Sequence, residues 1–483
     1  MTRRLPALVV IVAAFVAVVY GARDRLDAGA PTFSVSASGW MPSAPPPGGV
    51  TETWFCPGVP ATGRDDVGGE IVIANRNDQR MLGTVLLMNE DGETRRLDLD
   101  VDGWSTARVD LDERLPGEMV AAVVEVDGGG AVVEQWAINP SGDSQAGCAN
   151  ATSDTWYFAD GFTVDGSLDQ IVLTNPYEQT VVANLSFATR EGSRQPASYR
   201  GLTIPAQSVR VIDLGAPGAG AQSEPLLAVS VETARGRLVV GRSQRFLGGG
   251  RLGTQVTLGS PALRNQWWFA NGARGDSVTT QYSIYNPTDA SVDVDVVFLG
   301  IDLSLASDPV EPLTVPPRQL VTVDPDDYDT SQVPTGRHAA VFATSDATSS
   351  IVVERAVTRT DGDQVGTSVI GGAPPRQDGY LATTWHVASG PPEPVEAGLV
   401  IYNADNLDGT VSVSAVGSSG PVPVPGLQDL PLGAASLRTI DLTDPLVVGR
   451  ELVIESTARI FVERAYPIGR GDLRASSWAL PAA

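Results

Sequence analysis

Lysine is absent from this 483-residue chain, so all 33 basic side chains are arginine, set against 57 acidic side chains. The formal net charge of −24 excludes nucleic acid as a partner, because no extended basic surface can form to neutralise phosphates. The same charge disfavours binding to an anionic membrane surface. Its simplest consequence is solubility and mutual repulsion between copies.

Cysteine and histidine are also scarce, with two residues of each. Cys56 and Cys148 predict a disulfide outside the cytoplasm, which would close a loop of about 90 residues and stabilise the fold by roughly 4 kcal/mol. Two free buried thiols are the alternative. The cysteines and the distant His338 and His386 are too few and too scattered for a zinc site, so we expect neither a metal nor a cofactor on these residues.

Amphipathic helices are lacking beyond the N-terminal apolar run, and 51 glycines with 35 prolines leave little room for them. Short β-branched or alternating runs take their place, for example at residues 209–213. Turn residues separate these runs about every 8–12 positions, which is typical of β-sandwiches. The sequence therefore predicts an all-β chain.

One pattern occurs four times along the chain. Each copy opens with tryptophan and a second ring, at Trp54-Phe55, Trp156-Tyr157, Trp267-Trp268 and Trp385-His386. An apolar run then ends in asparagine, at Asn75, Asn175, Asn286 and Asn403. An alternating run ends in aspartate, at Asp110, Asp213, Asp324 and Asp441. A last β-branched run ends in a polar pair, at Glu134-Gln135, Gly241-Arg242, Glu354-Arg355 and Glu463-Arg464.

The length of each copy, about 100 residues, is that of an immunoglobulin-like sandwich. We therefore predict an N-terminal transmembrane helix followed by four tandem immunoglobulin-like β-sandwich repeats. Repeats 1 to 4 are assigned to residues 51–150, 151–262, 263–376 and 377–483. We expect autonomous domains in series, each contacting mainly its neighbours.

The N-terminus predicts a membrane tether. Residues 5–22 carry no charge and follow Arg3 and Arg4, which indicates a signal-anchor over residues 1–22 with the bulk of the chain outside the cell. Removal of residues 1–30 as a signal peptide is the alternative, although a proline follows that cleavage site. The Pro-rich linker over residues 23–50 should be extended and should hold repeat 1 away from the membrane.

Candidate catalytic residues give weak signals. His338 and His386 each belong to a single repeat, and His386 fills an aromatic position, so we expect it to pack. Glu354 and Glu463 recur at one repeat position, which favours an ion pair or turn at the end of a strand. The alternative is the carboxylate pair of a glycosidase within one repeat, formed by Asp324 and Glu354 or by Asp441 and Glu463. We therefore predict that the protein is not an enzyme.

Three aspartates, Asp98, Asp100 and Asp102, are weak calcium candidates because they resemble the start of a calcium-binding loop. The twelfth position of that loop is Val109 rather than glutamate. An alternating strand that turns its aspartates outward is the stronger interpretation.

The openings at residues 156–161 and 267–272, the Asn-Pro turns that follow them, and the Val-Glu-Arg runs resemble a repeat of secreted bacterial proteins. The whole chain resembles an actinobacterial family of membrane-anchored exported proteins of unknown function. This resemblance implies the architecture given above and no catalytic residues. Repeat 1 departs most from the pattern, with Cys56-Pro57 at its opening and Gln135 in place of arginine, as suits a terminal capping repeat.

The expected function is that of a non-enzymatic, membrane-anchored extracytoplasmic scaffold or docking protein of the bacterial cell envelope, with envelope proteins as partners. One alternative is a cell-wall glycan-binding or adhesion array, in which Trp104 and Trp478 would stack on sugars. A second alternative is an accessory subunit of a polysaccharide-processing enzyme, for which residues 326–329 are the insertion to inspect.

Overall fold

A computed structural model describes residues 42–301, 310–375, 382–467 and 473–483 of the protein. The signal-anchor predicted over residues 1–22 and most of the linker lie outside these ranges. Within them, no helix is long and apolar enough to cross a membrane. The described chain is all-β and β-sandwich-like, and each repeat contributes two antiparallel sheets. The Trp sheet of a repeat contains its opening tryptophan, and the Asn sheet contains the strand that ends in the recurring asparagine.

Repeat 1 contains eight strands and one short helix. The strands are β1 Thr51–Ala61, β2 Gly68–Asn75, β3 Met81–Asn89, β4 Thr94–Val101, β5 Thr106–Asp110, β6 Gly117–Asp127, β7 Ala131–Ile138 and β8 Ser144–Gly147. The helix α1, Leu111–Arg114, begins after Asp110, whose carboxylate accepts the N–H of Glu113. The Trp sheet has the strand order β1-β6-β3-β4, and the Asn sheet has the order β5-β2-β7-β8.

Repeat 2 has the same plan. Its strands are β9 Thr155–Gly161, β10 Leu168–Asn175, β11 Val181–Thr189, β12 Gly192–Arg194, β13 Leu202–Ile204, β14 Ser208–Asp213, β15 Leu227–Arg235, β16 Val239–Gly248 and β17 Arg251–Leu258, with 3-10 turns at Val164–Gly166 and Ala197–Tyr199. The Trp sheet runs β12-β11-β15-β9, with β13 also on β11, and the Asn sheet runs β14-β10-β16-β17.

Repeats 3 and 4 complete the series. Repeat 3 has β18 Gln266–Arg274, β19 Val278–Asn286, β20 Val292–Leu299, β21 Leu313–Val315, β22 Gln319–Val323, β23 Gly336–Thr344, β24 Val352–Asp361 and β25 Gln364–Gly371, with a 3-10 turn at Pro325–Asp327. Repeat 4 has β26 Thr384–Val387, β27 Val395–Asn403, β28 Gly409–Gly417, β29 Gly420–Pro423, β30 Leu430–Leu432, β31 Leu437–Leu442, β32 Leu452–Ser456, β33 Ile460–Pro467, β34 Arg474–Trp478 and β35 Leu480–Pro481, with a 3-10 turn at Pro445–Val447.

The four Asn sheets share one strand order. The strand with the recurring aspartate lies beside the strand with the recurring asparagine, which lies beside the polar-pair strand, and a last strand (β8, β17, β25 or β34) completes the sheet. The opening tryptophans are buried in the cores, each at most 2% exposed. In repeats 2 to 4 the indole N–H donates to the backbone carbonyl at the start of the polar-pair strand, on Leu238, Ile351 and Ile460.

The recurring asparagine holds the turn that follows its strand. The side-chain NH2 group of Asn175 donates to the carbonyls of Gln179, Ile204 and Pro205, and its carbonyl oxygen accepts the N–H of Tyr177. Asn75, Asn286 and Asn403 make the equivalent bonds in their own repeats. This side chain therefore satisfies buried backbone groups of two strands at once, and its role is structural.

The disulfide predicted between Cys56 and Cys148 is confirmed, with the two Cα atoms 4.4 Å apart and both side chains buried. It joins β1 to the residue that follows β8, and so ties the two ends of repeat 1 together.

The described end of the linker packs against the repeats, which differs from the extended spacer that its prolines predicted. Ala44 is buried and lies parallel to Ala482, with its N–H donating to the carbonyl of Pro481 at 2.8 Å. The N–H of Gly48 donates to the carbonyl of Gly128 at 2.9 Å. We call residues 42–48 and 481–483 together the terminal clasp. Through it, the N-terminal segment binds both repeat 4 and repeat 1.

Replacing Asn175 by alanine should lower the free energy of unfolding by about 2–4 kcal/mol, because several buried backbone groups lose their partner together. Chemical denaturation of both proteins measures the change. Asn184→Ala is the matched control in the same repeat, since its single side-chain bond, to Gly201 N, lies at the surface. Equal losses for the two variants would contradict the structural role of the recurring asparagine.

Candidate functional site

The last strands of the Asn sheets bring all four repeats together. Strand β17 of repeat 2 contacts β8 of repeat 1 and β25 of repeat 3, and β34 of repeat 4 contacts both β25 and β8. Repeat 1 therefore contacts repeat 2, repeat 2 contacts repeat 3, repeat 3 contacts repeat 4, and repeat 4 contacts repeat 1. We call this arrangement the ring. The contact between repeats 4 and 1 was not expected from the sequence, which predicted repeats in series.

The recurring polar pairs form ion pairs between repeats. Arg242 of repeat 2 binds Glu354 of repeat 3 at 3.1 Å. Arg355 of repeat 3 binds Glu463 of repeat 4 through its two terminal nitrogens, Nη1 and Nη2. Arg464 of repeat 4 binds Glu134 of repeat 1 at 2.7 Å. The pairs lie within their strands and are buried, so the prediction of an ion pair at the end of a strand was wrong about the place.

At two of these interfaces the glutamate also binds backbone at the opening of the preceding repeat. One oxygen of Glu354 accepts the N–H groups of Ala159 and Asp160, at 2.7 and 2.6 Å. Glu134 accepts the N–H of Ala388 at 3.1 Å. Burial raises the pKa of Glu354, while Arg242 and these N–H groups act in the opposite direction and favour the carboxylate. A buried charge held in this way specifies one orientation of the two repeats.

The interface between repeats 1 and 2 lacks both members of the pair. Gln135 stands in place of arginine and Gly241 in place of glutamate. A Cβ atom at Gly241 would lie 2.7 Å from the ring of Pro57, which occupies the space of the missing carboxylate. Pro57 has no N–H to leave unsatisfied, and the N–H of the next residue, Gly58, donates to Gln135. The arginine and the glutamate are therefore both absent from this interface, so neither charge is buried without its partner.

The second ring of each opening packs into the following repeat. The indole of Trp268 lies 5.3 Å from the ring of Phe461 and 5.6 Å from that of Tyr402, both in repeat 4. Phe55 packs against the apolar cluster that joins repeats 1 and 2. His386 occupies this position at the interface of repeats 4 and 1 and is buried, which agrees with its expected packing role.

A further charged cluster lies between repeats 2 and 3. Asp160 accepts hydrogen bonds from Arg251 at 2.6 Å and from Ser283 at 2.8 Å. Asp169 is fully buried, and its oxygens accept no hydrogen bond from the described part of the chain. Burial raises the pKa of Asp169 to about 7, with Arg242 acting in the opposite direction. Gly161 leaves room for this carboxyl group, since a Cβ there would lie 2.1 Å from it.

A cavity of about 50 Å³ lies where the last strands of all four repeats meet. Gln145, Gln255, Ile370, Ser477 and Trp478 line it, together with Pro42 of the terminal clasp and Leu480 just before it. The volume holds roughly three or four water molecules.

The calcium candidates lie on one face of β4 and just beyond it. Asp98, Asp100 and Asp102 are exposed, whereas Leu99 and Val101 between them are buried. Asp100 forms an ion pair with Arg80, the residue before the facing strand β3. The described ranges contain no cluster of three or more histidine, cysteine, aspartate or glutamate side chains that could hold a metal ion. The alternating strand is the arrangement observed here.

Trp478, Trp104 and His338, which the sequence analysis singled out, make contacts within the fold. Trp478 is 8% exposed and its indole donates to the carbonyl of Gly371 at 2.8 Å. Trp104 is half-buried and lies against Gly420 of repeat 4. His338 is buried beside the hydroxyl of Tyr282 at 3.3 Å, and burial lowers the pKa of His338 to about 3.

The insertion at residues 326–329 is also engaged within repeat 3. Asp326 lies 3.4 Å from the guanidinium of Arg274, and the ring of Tyr328 lies 6.2 Å from that of Phe298. Asp324 does not join Glu354 in a carboxylate pair. It accepts the N–H of Asp326 at the start of a 3-10 turn, while Glu354 faces repeat 2.

A model for a family of unknown function (DUF5719) matches residues 130–244, from the residue before β7 to within β16. The matched segment covers less than half of the chain and contains the polar pairs of repeats 1 and 2. No curated protein matches the chain.

Several solved structures show a weak likeness. The structure of Thermotoga maritima 1070 is 14% identical over 23% of this chain and 96% of its own, with a TM-score of 0.20. The α-L-rhamnosidase of Streptomyces avermitilis, solved with L-rhamnose, is 12% identical over 89% of this chain and 44% of its own, with a TM-score of 0.16. A tetra-tandem repeat from the extending region of a large adhesion protein is 13% identical over 85% and 94%, with a TM-score of 0.10. Such low scores carry no argument about fold or function.

Replacing Glu463 by leucine should lower the free energy of unfolding by about 3–5 kcal/mol, because Arg355 is then buried without its carboxylate. The double variant Arg355→Met/Glu463→Leu removes both charges and should recover most of the loss. Chemical denaturation of the three proteins measures both effects.

The matched control is Asp289→Ala, which breaks the exposed pair of Asp289 with Arg318 and should leave stability unchanged. If Glu463→Leu were as mild as this control, the ion pair would not hold the repeats together.

Asp169→Asn should change how stability depends on pH. The pKa of Asp169 is raised from 3.8 to about 7, so its contribution to stability is complete below pH 3.8 and is lost as the pH rises through 7. The asparagine variant should match the parent near pH 3.8 and exceed it by about 4 kcal/mol at pH 7. Melting temperatures across this range test the expectation, with Asp289→Asn as an exposed control. A parallel pH profile for Asp169→Asn and the parent would contradict it.

Proposed function

We propose that the protein is a non-enzymatic, membrane-anchored extracytoplasmic scaffold or docking protein of an actinobacterial cell envelope, built from immunoglobulin-like repeats. The observation that carries this proposal is the set of buried ion pairs between repeats. Such pairs fix the relative orientation of the domains that they join. A chain held in this way can present several binding surfaces at set distances from one another, which is what a scaffold requires.

The recurring residues support a structural rather than a chemical role for the repeats. The tryptophans fill the cores, the asparagines hold turns, and the glutamates and arginines join one repeat to the next. Side chains free to meet a partner lie elsewhere on the surface. One exposed apolar side chain from each repeat, 41–72% exposed, illustrates this: Leu82, Leu247, Val297 and Leu407.

The two alternative functions have less support. Stacking of a glycan on Trp478 is opposed by its burial, and Trp104 is half covered by repeat 4. The insertion at residues 326–329, where a catalytic accessory role would be sought, is tied to Arg274 and Phe298. A docking function requires neither exposed tryptophans nor an accessible insertion at residues 326–329.

Photo-crosslinking of the full-length chain in its native membrane tests the proposal. A photoreactive amino acid is placed in turn at Leu82, Leu247, Val297 and Leu407, and the adducts are recovered and identified. We expect one position to capture an envelope protein well above the other three, because a rigid scaffold presents each partner with one surface. Non-irradiated samples are the control.

Recovery of wall polysaccharide alone would favour the glycan-binding alternative. The absence of specific adducts at all four positions would contradict docking through these surfaces.

A further inference from the structure

The interface between repeats 4 and 1 differs from the other three at two facing positions. His386 stands where the other repeats have Phe55, Tyr157 and Trp268. In each repeat this second residue of the opening pairs with a residue on the next strand of the Trp sheet, and His386 pairs with Val453. Two positions before that partner, repeat 4 has Glu451, whereas the other repeats have Ala121, Ala228 and Ala339. An aromatic–alanine combination is thus replaced by histidine and glutamate.

The histidine and the glutamate are both buried. His386 is 8% exposed and Glu451 is 2% exposed, and His386 Nδ1 lies 3.4 Å from Glu451 Oε1. Within the described chain, neither oxygen of Glu451 accepts a well-formed hydrogen bond. A carboxyl group buried in this way destabilises an interface relative to an apolar side chain. Stability alone therefore favours the aromatic–alanine combination that the other three repeats have.

Charged groups of both repeats face this pair. Arg76, which follows β2 in repeat 1, interacts with both Glu451 and Glu52. Its guanidinium also donates to the carbonyl of Pro45 in the terminal clasp. Glu134 on β7 faces Glu451 as well, but Glu134 is bound to Arg464 of β33, beside Tyr466. Arg76 is therefore the cation close to Glu451 that is not already held by the ion pair of this interface.

The closed interface holds one proton on the two side chains together. Burial lowers the pKa of His386 from 6.5 to about 3 and raises the pKa of Glu451 from 4.5 to about 8. Between these limits the pair carries one proton, whichever of the two atoms bears it.

In water the same two groups carry no proton above pH 6.5, one between pH 6.5 and 4.5, and two below pH 4.5. Closing the interface therefore takes up a proton between pH 6.5 and 8, exchanges none between pH 4.5 and 6.5, and releases one between pH 4.5 and 3. Closure is tightest between pH 4.5 and 6.5.

We propose that the interface of repeats 4 and 1 is a protonation-controlled latch, in which one proton shared by His386 and Glu451 holds the ring closed and its loss at alkaline pH loosens the ring. The closing equilibrium should weaken about tenfold for each pH unit between 6.5 and 8. Opening would free the facing surfaces of repeats 1 and 4 and the terminal clasp. The latch concerns the ring itself and does not rest on the proposed docking function.

Hydrogen exchange of the full-length chain, corrected for the intrinsic dependence of exchange on pH, tests the latch. The reporters are the N–H of Ala388, which binds Glu134 across the interface, and the N–H of Ala44 in the terminal clasp. Their protection should fall about tenfold per pH unit between pH 6.5 and 8. The N–H of Ser476, which binds Ser368 between repeats 4 and 3, is the internal control and should keep its protection.

Two variants separate the latch from a general effect of pH. Glu451→Gln removes the titrating carboxyl group and should abolish the slope above pH 6.5. His386→Trp/Glu451→Ala installs the Trp268 and Ala339 combination of repeat 3 and should keep the interface closed at every pH tested. Glu455→Gln, on the exposed face of β32, which begins directly after Glu451, should retain the parent profile.

Protection of Ala388 that is independent of pH in the parent would overturn the latch. So would an unchanged slope in Glu451→Gln, which remains informative even if the double variant fails to fold.

Discussion

The structure depends on a buried glutamate that reaches from one repeat to the arginine and, at two interfaces, to backbone N–H groups of the preceding repeat. Removing two charges from water is costly, and the cost is offset by the close approach of the two charges and by the hydrogen bonds that they make. The repeats must therefore meet in the orientation that brings these groups together. The same rule explains repeats 1 and 2, where Gln135, Gly241 and Pro57 remove the arginine, the glutamate and one N–H donor together.

The ring of four repeats closes because an interface of this kind recurs between successive repeats. Three interfaces use the charged pair and the fourth uses an apolar cluster, and the last strands of the four Asn sheets meet around a small cavity. The terminal clasp then ties the N-terminal segment to the C-terminal residues of repeat 4. The docking proposal and the latch proposal both assume that the four repeats form this closed ring.

Local features were predictable from the sequence because they depend on neighbours along the chain. Alternating runs ending at Asn175 or Asp213 indicate strands and turns, and the two cysteines left a single possible bridge. The ring was not predictable in the same way, because its ion pairs join residues 108 to 330 positions apart. One signal was nevertheless present. Gln135 and Gly241, in neighbouring repeats, are the two exceptions to the Glu-Arg pattern, and such matched losses are expected when the arginine of one repeat binds the glutamate of the next.

The most direct test of this account is a double-mutant cycle on Glu134 and Arg464, which are 330 residues apart and bind only if repeat 4 closes onto repeat 1. The free energies of unfolding of Glu134→Gln, Arg464→Met and the double variant, compared with the parent, give the coupling between the two side chains. The account predicts a coupling of about 1–3 kcal/mol. Additive effects of the two substitutions would show that the side chains do not interact, and would contradict the closed ring.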